Sequence, residues 1–106
     1  MDQLIIIQSS FPKSFSFDEI CNDLIKKKLA ACIQITPNIT SYYEWNNTIQ
    51  KDNESLMNIK TKQLHFTEIS NLINQHHPYE VPEIIMITIH DMSNNYLNWF
   101  NTQLKI

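Results

Sequence analysis

The 106-residue sequence contains no glycine. Glycine-rich loops that cradle phosphate groups with their backbone therefore cannot form, which excludes the common nucleotide-binding motifs. Left-handed backbone positions, which glycine usually fills, must be taken by asparagine or aspartate, because these residues tolerate a positive φ. We expect Asn38 and Asn47 to occupy two such positions.

Arginine is also absent, and all eight basic residues are lysine. Without guanidinium groups the chain cannot make the bidentate contacts by which many proteins recognise phosphate and guanine. The formal net charge is only −3, which is too small to define a partner by itself. We therefore expect no nucleic-acid partner.

Cysteines are few and long apolar runs are missing. Cys21 and Cys32 fall on predicted regular elements, which favours free thiols in a reducing cytoplasm over a disulfide. The apolar runs are far shorter than the roughly 18 residues that a membrane span needs. The first of them follows Met1-Asp2-Gln3 without a basic region or a cleavage site. We expect a soluble cytoplasmic protein with no export signal and no membrane partner.

The composition that remains is typical of a globular protein, with 42% hydrophobic and 18% charged residues. A chain of this length usually forms one domain and can bury a single core. We expect residues 1–106 to form a single domain.

Hydrophobic periodicity predicts seven elements in the order strand, helix, strand, strand, helix, strand, helix. The strands are predicted at residues 4–10, 31–36 with a continuation at 40–45, 48–61 and 84–89, and the helices at 16–28, 64–75 and from 93 onward. This order is typical of an α+β, ferredoxin-like βαββαβ fold with an antiparallel sheet, here extended by a C-terminal helix.

Local signals refine three of these elements. Ser16 and Glu19 have the spacing of a capping box at the start of the first helix. Asn46-Asn47 can form the tight turn of a hairpin between the second and third strands. The isoleucine-rich run at 84–89 predicts a buried last strand.

The predicted hairpin is longer than a compact sheet of this kind needs. Its strands exceed ten residues, against a usual five or six, and the far end carries Tyr42, Tyr43 and Trp45. An isolated arm would leave open strand edges and exposed rings, so pairing with other subunits is expected. We predict an oligomer.

The run from His76 to Glu83, HHPYEVPE, joins the second helix to the last strand. Its two prolines restrict their own φ angles and push His77 and Val81 toward extended backbone, so this connector is stiff. The segment resembles the HHPYxxPE motif of the CutA proteins, a family named for tolerance to divalent cations.

Further segments resemble the same family in the same order along almost the whole chain. They are Leu29–Ile33 (LAACV in the family), Pro37–Trp45 (PGxxSxYxW), Lys60-Thr61 (KT) and Tyr96–Trp99 (YLxW). The resemblance implies a homotrimer with the architecture of the PII signalling proteins, and it implies binding or tolerance of copper and other divalent ions.

The metal ligands that this resemblance suggests are His76 and His77, with Cys32, Glu80 and Glu83 as additional candidates. Adjacent side chains diverge, so a complete site needs ligands from elsewhere in the fold or from another subunit. Some relatives have a cysteine near the end of the first strand, where this chain has Gln8-Ser9-Ser10. The alternative is structural: His76 ends a helix, and His77 forms hydrogen bonds within the connector.

A second group of residues, Lys60, Tyr79, Glu83 and Trp45, is expected at a cleft between subunits. Lys60 could bind a small anionic ligand there, as in PII-like proteins, or it could pair with Glu83 or Glu80 and stabilise the trimer. The alternative function is therefore a PII-like small-ligand sensor or a protein-anchoring scaffold, with no intrinsic metal role.

Catalysis is not expected. Ser9 and Ser10 are not in a nucleophile-elbow context, and the histidines have no placed acidic partner. We predict a non-enzymatic protein that binds copper or another divalent cation and has no organic cofactor.

Overall fold

A computed structural model describes residues 2–106. The elements are β1 (Leu4–Pro12), α1 (Asp18–Lys26), β2 (Cys32–Trp45), β3 (Thr48–Lys62), α2 (Phe66–His76), β4 (Ile85–Thr88) and α3 (Asn94–Gln103), with a 3₁₀ turn at Gln63–His65 before α2. The predicted order is confirmed. The two predicted pieces of the second strand form one continuous strand.

The four strands form one antiparallel sheet in the order β2-β3-β1-β4. The prediction of a ferredoxin-like α+β fold is therefore confirmed. Side chains alternate across a strand, and the alternate residues Ile5, Ile7 and Phe11 of β1 are fully buried together with Met57 and Ile59 of β3. They pack against the apolar faces of α1 and α2, namely Ile20, Leu24, Ile69, Leu72 and Ile73.

The added helix α3 packs separately from this core. Phe100 and Leu104 form a second buried cluster with Ala31, and Leu4 and Tyr96 pack against it. Leu4 points away from the face that carries Ile5, because neighbouring residues of a strand point to opposite faces. α3 therefore covers one end of the sheet face that α1 and α2 leave open.

Within residues 2–106, four residues have positive φ in place of glycine. Asn46 and Asn47, with φ of 52° and 62°, form the turn between β2 and β3, as a two-residue hairpin of the primed type requires. Asn38, with φ of 60°, lies in the irregularity between Thr36 and Ile39 of β2. The predictions for Asn38 and Asn47 are confirmed.

The fourth residue, Lys28, has φ of 60°, so the expectation that only asparagine or aspartate would take this conformation is wrong. Lys28 follows the last turn of α1, where a left-handed residue lets the next amide reach back to the helix. The Leu29 amide donates to the Leu24 carbonyl at 3.1 Å. That bond offsets the cost of placing a lysine there.

The predicted capping box is also wrong. α1 begins at Asp18, and the residue before it, Phe17, has helical dihedrals and no side-chain cap. Phe15 and Phe17 instead pack on the buried ring of Phe11, with ring centroids 4.5 and 5.0 Å away. This aromatic packing sets the start of the helix, so Ser16 does not act as its cap.

β4 differs from the prediction of a buried strand. Ile85, Met86 and Ile87 are 44%, 40% and 41% exposed. β4 is an edge strand of four residues, and among the described strands it pairs with β1 alone. The apolar run therefore lies on an open edge of the chain rather than in its core.

Candidate functional site

A cavity of about 710 Å³ lies where the hairpin, the connector and the end of β1 meet. Its lining combines carboxylates, hydroxyls and aromatic rings. The lining residues are Ser10, Ser41, Tyr42, Tyr43, Trp45, Glu54, Pro78, Tyr79, Glu80, Val81 and Glu83. Because these residues come from four separate segments, only the folded chain brings them together.

The hairpin supplies one wall of the cavity by strand alternation. Ser41, Tyr43 and Trp45 are two residues apart and therefore share one face of β2. Asp52 is the register partner of Ser41, and Glu54 is the partner of Ile39. The hairpin therefore places acidic side chains of β3 on the same face as the aromatic rings of β2.

His77 anchors the connector against the end of β1. Its Nδ1 accepts a hydrogen bond from the Tyr79 backbone amide at 3.1 Å, and its Nε2 lies 2.7 Å from the Ser10 carbonyl oxygen. Nδ1 must be unprotonated to accept, so Nε2 carries the proton and donates it to Ser10. The imidazole also stacks on Phe11, with centroids 4.1 Å apart. Both ring nitrogens of His77 are therefore occupied.

Tyr79 continues this network to Glu54. The Tyr79 hydroxyl donates to Glu54 Oε2 at 2.7 Å, and Glu54 is only 3% exposed. Burial, followed by the hydrogen bond to Glu54, strongly raises the pKa of Tyr79. The Tyr43 hydroxyl donates to Asp52, and this bond raises the pKa of Tyr43. Both phenols therefore remain protonated donors at neutral pH.

The structure brings together three of the four residues expected at the cleft, namely Trp45, Tyr79 and Glu83. Lys60 lies elsewhere: it stands six residues beyond Glu54, about 20 Å along an extended strand. Its Nζ lies 5.6 Å from the centroid of the Tyr96 ring.

The expected ion pair from Lys60 to Glu83 or Glu80 does not form within residues 2–106, where the ion pairs are Lys27–Asp23 and Lys105–Glu68. Glu83 Oε1 instead accepts a hydrogen bond from Ser10 Oγ at 3.1 Å. The carboxylates that line the cavity are therefore not neutralised by Lys60 of the same chain.

The candidate metal ligands are dispersed in the single chain. His76 ends α2 and is partly buried, whereas His77 has no free ring nitrogen. Cys32 begins β2 opposite Lys60, away from the cavity. Across residues 2–106 no three His, Cys, Asp or Glu side chains group to hold a metal ion. The metal-ligand roles of these residues remain a prediction, and a complete metal site would need ligands from a second chain.

Glu54 is the buried acidic residue of this site that the sequence pattern did not predict. The sequence does place Glu54 on the same face of β3 as Asp52, because residues two apart in a strand share a face. Its position opposite Ile39 depends on the irregularity after Thr36, which shifts the pairing. Its burial depends on the connector, which is 25 residues away at Tyr79.

The burial of His77 predicts a pH-dependent stability. Burial lowers its pKa below the ordinary 6.5, so the unfolded chain binds a proton more readily than the folded one. Neutral His77 makes its full contribution to the free energy of unfolding above about pH 6.5. This contribution is lost as the pH falls from there through the lowered pKa of the folded state. We expect urea unfolding at one protein concentration to show this loss between about pH 7 and pH 5.

The control for this prediction is the exposed His90. His77→Gln should flatten the pH dependence in this window more than His90→Gln does. If the free energy of unfolding depends on pH equally in the wild type and in His77→Gln, burial of His77 is not the cause of the pH dependence.

None of the helices formed by residues 2–106 has the length and apolar character that a bilayer crossing requires.

Comparison with protein families identifies a match to the CutA1 divalent ion tolerance protein over residues 5–103. The chain is 35% identical over 101 residues to the chloroplastic protein CutA of Arabidopsis thaliana, covering 95% of this chain and 56% of that protein. The chain thus spans about half the length of that relative.

Two solved structures have a similar fold. CutA1 from Oryza sativa superposes with a TM-score of 0.90 at 30% identity, covering 98% of this chain and 95% of that one. The periplasmic divalent cation tolerance protein CutA from Archaeoglobus fulgidus gives a TM-score of 0.89 at 29% identity, covering 96% and 99%. These matches extend over nearly the whole chain.

Proposed function

The chain belongs to the CutA1 divalent ion tolerance family, and on that premise we propose that it acts in tolerance to divalent metal ions as a homotrimer. We further propose that the protein binds copper in preference to other divalent ions, and that it has neither catalytic activity nor an organic cofactor. The observation that carries it is the family match over residues 5–103. A cytoplasmic location stays a prediction, since the relatives described above include proteins named for the chloroplast and the periplasm.

The exposed apolar surface of the single chain supports the trimer. The edge strand β4 leaves Ile85, Met86 and Ile87 about two-fifths exposed, and Trp45 at the tip of the hairpin is 46% exposed. An open apolar edge of this kind favours pairing with another chain. The hairpin also makes the molecule elongated, at 46 × 26 × 22 Å, which gives it the reach to contact neighbouring subunits.

The dispersed ligands support a metal site shared between chains. The residues of one chain do not fit a metal ion by themselves, because no suitable group of three exists within residues 2–106. His76 is the better histidine ligand of the pair, since coordination by His77 would break a hydrogen bond to Ser10 or Tyr79. Imidazole nitrogen suits copper and zinc. Cys32, Glu80 and Glu83 remain proposed additional ligands.

A calorimetric titration of the reduced protein with Cu(II), run beside light scattering, tests this proposal. We expect three chains per particle and saturable binding at one ion per chain or one per trimer. His76→Ala should weaken copper binding about tenfold or more, because one imidazole ligand is lost. The matched control is His90→Ala, which removes an exposed imidazole outside the proposed ligand set.

Two results would contradict the metal proposal. One is weak, non-saturating binding in the wild type. The other is binding that His76→Ala leaves unchanged while the particle mass stays the same.

A second candidate function is a small-ligand sensor or scaffold with no intrinsic metal role. The cavity of about 710 Å³ between the hairpin and the connector favours it, because ligand pockets commonly have volumes of about 300–1,000 Å³. Within one chain Lys60 does not line this cavity, and binding of a small anionic ligand through Lys60 at a cleft between subunits stays a prediction.

A further inference from the structure

The outer part of the hairpin projects beyond the rest of the sheet. β3 pairs with β1 from Lys62 as far as Glu54, which lies opposite Pro12. The strand residues of the range 40–53, which we call the arm, pair with each other alone among the described strands. A two-stranded hairpin is only marginally stable by itself, so the direction of the arm depends on the contacts that hold its base.

The base of the arm contains a bulge. Thr36 pairs with Leu56 and Ile39 pairs with Glu54, so β2 has one extra residue between these two pairs. Asn38, within this irregularity, has φ of 60°. A bulge bends its strand and increases the local twist. It lies at the same level of the hairpin as the end of the pairing between β1 and β3, so the base of the arm has the features of a hinge.

A third segment, the connector, braces this hinge. Glu54 is 3% exposed, and its Oε2 accepts a hydrogen bond from the Tyr79 hydroxyl at 2.7 Å. Tyr79 is held in turn by His77, which accepts from its backbone amide and donates to the carbonyl of Ser10 in β1. These contacts all lie within one chain. They link the base of the arm back to the sheet without any contribution from a second chain.

We infer that Tyr79 is a positioning residue for assembly, because its hydrogen bond to Glu54 holds the arm in the direction in which it contacts neighbouring subunits. The inference rests on the proposed homotrimer. Without this bond the arm can turn about the bulge, and only a fraction of the chains presents it in the competent direction. All three chains of a trimer must be competent at once, so assembly falls with the third power of that fraction.

Tyr79→Phe tests the brace. It removes the hydroxyl and keeps the ring, whose centroid lies 4.8 Å from that of the His77 ring. Loss of one hydrogen bond should lower the competent fraction about fivefold, so the dissociation constant of the three-chain particle should rise about a hundredfold. The constant is measured by light scattering of a dilution series, at one urea concentration at which the wild-type particle dissociates on dilution. Circular dichroism checks that the variant is folded.

The matched control is Tyr96→Phe, which removes a phenolic hydroxyl from α3, outside the arm and its base. It should raise the dissociation constant much less than Tyr79→Phe does.

Variants of Glu54 separate the hydrogen bond from the charge. Glu54→Gln keeps an acceptor for the Tyr79 hydroxyl, whereas Glu54→Ala does not, so the glutamine variant should form the tighter particle. Combining Tyr79→Phe with Glu54→Ala should weaken the particle no further than Glu54→Ala alone, because both changes remove the same bond.

The outcomes distinguish the brace from the trimer itself. A wild type that stays monomeric contradicts the homotrimer and this inference together. A three-chain wild type whose dissociation constant is unchanged by Tyr79→Phe overturns the inference alone. Equal weakening by Glu54→Gln and Glu54→Ala also overturns it, because the charge of Glu54 and not the bond from Tyr79 then holds the particle. Should Tyr79→Phe not fold, the comparison of the two Glu54 variants decides.

Discussion

Replacing Phe11 with alanine is expected to lower the free energy of unfolding by about 3–5 kcal/mol, as for other fully buried aromatic residues. Phe11 is completely buried. Its ring contacts Phe15, Phe17 and His77 at centroid distances of 4.5, 5.0 and 4.1 Å. The truncation removes the ring that holds both the start of α1 and the connector.

The loss is measured by urea unfolding at one fixed protein concentration, because the stability of an oligomer depends on concentration. Phe11→Leu keeps most of the apolar volume and should cost clearly less than the alanine variant. A decrease of less than about 1 kcal/mol for Phe11→Ala would contradict the central role of this ring.

Replacing His77 with alanine is expected to lower the free energy of unfolding by about 2–5 kcal/mol, even though a neighbouring histidine remains. The change leaves the Ser10 carbonyl and the Tyr79 amide without their partner, and each buried unsatisfied group costs about 1–3 kcal/mol. It also removes the stacking partner of Phe11.

His76→Ala is the matched control for this change. His76 is the last residue of α2 and is only partly buried, so its loss should cost less than about 1 kcal/mol. Urea unfolding of the two single variants under identical conditions makes the comparison. Equal costs for the two substitutions would contradict the structural role of His77.

The two adjacent histidines show why a motif alone does not assign roles. Both are equivalent candidates in the sequence, because imidazole can serve as a metal ligand, a hydrogen-bond donor or an acceptor. In the folded chain His77 bonds to Ser10, which is 67 residues away. In the single chain His77 therefore forms structural hydrogen bonds, as the alternative interpretation expected. Its role as a metal ligand remains a prediction.

Local chemistry accounts for the parts of the fold that were predicted correctly. The turn at Asn46-Asn47 needs two residues with positive φ, and in a chain without glycine few residue types can supply them. The order of strands and helices follows from short-range periodicity. The start of α1 was missed because the packing of Phe15 and Phe17 on Phe11 prevailed over the capping signal at Ser16.

By itself, the sequence determined the order of the elements, the hairpin turn, the stiffness of the connector and the family resemblance, since each depends on residues close together in the chain. Only the tertiary structure decided that Glu54 is buried beside Tyr79 and that Lys60 packs on Tyr96. These contacts depend on strand register, which the irregularity between Thr36 and Ile39 shifts. Side chains change faces when register changes by one residue, so local patterns could not predict which charges would share a cavity.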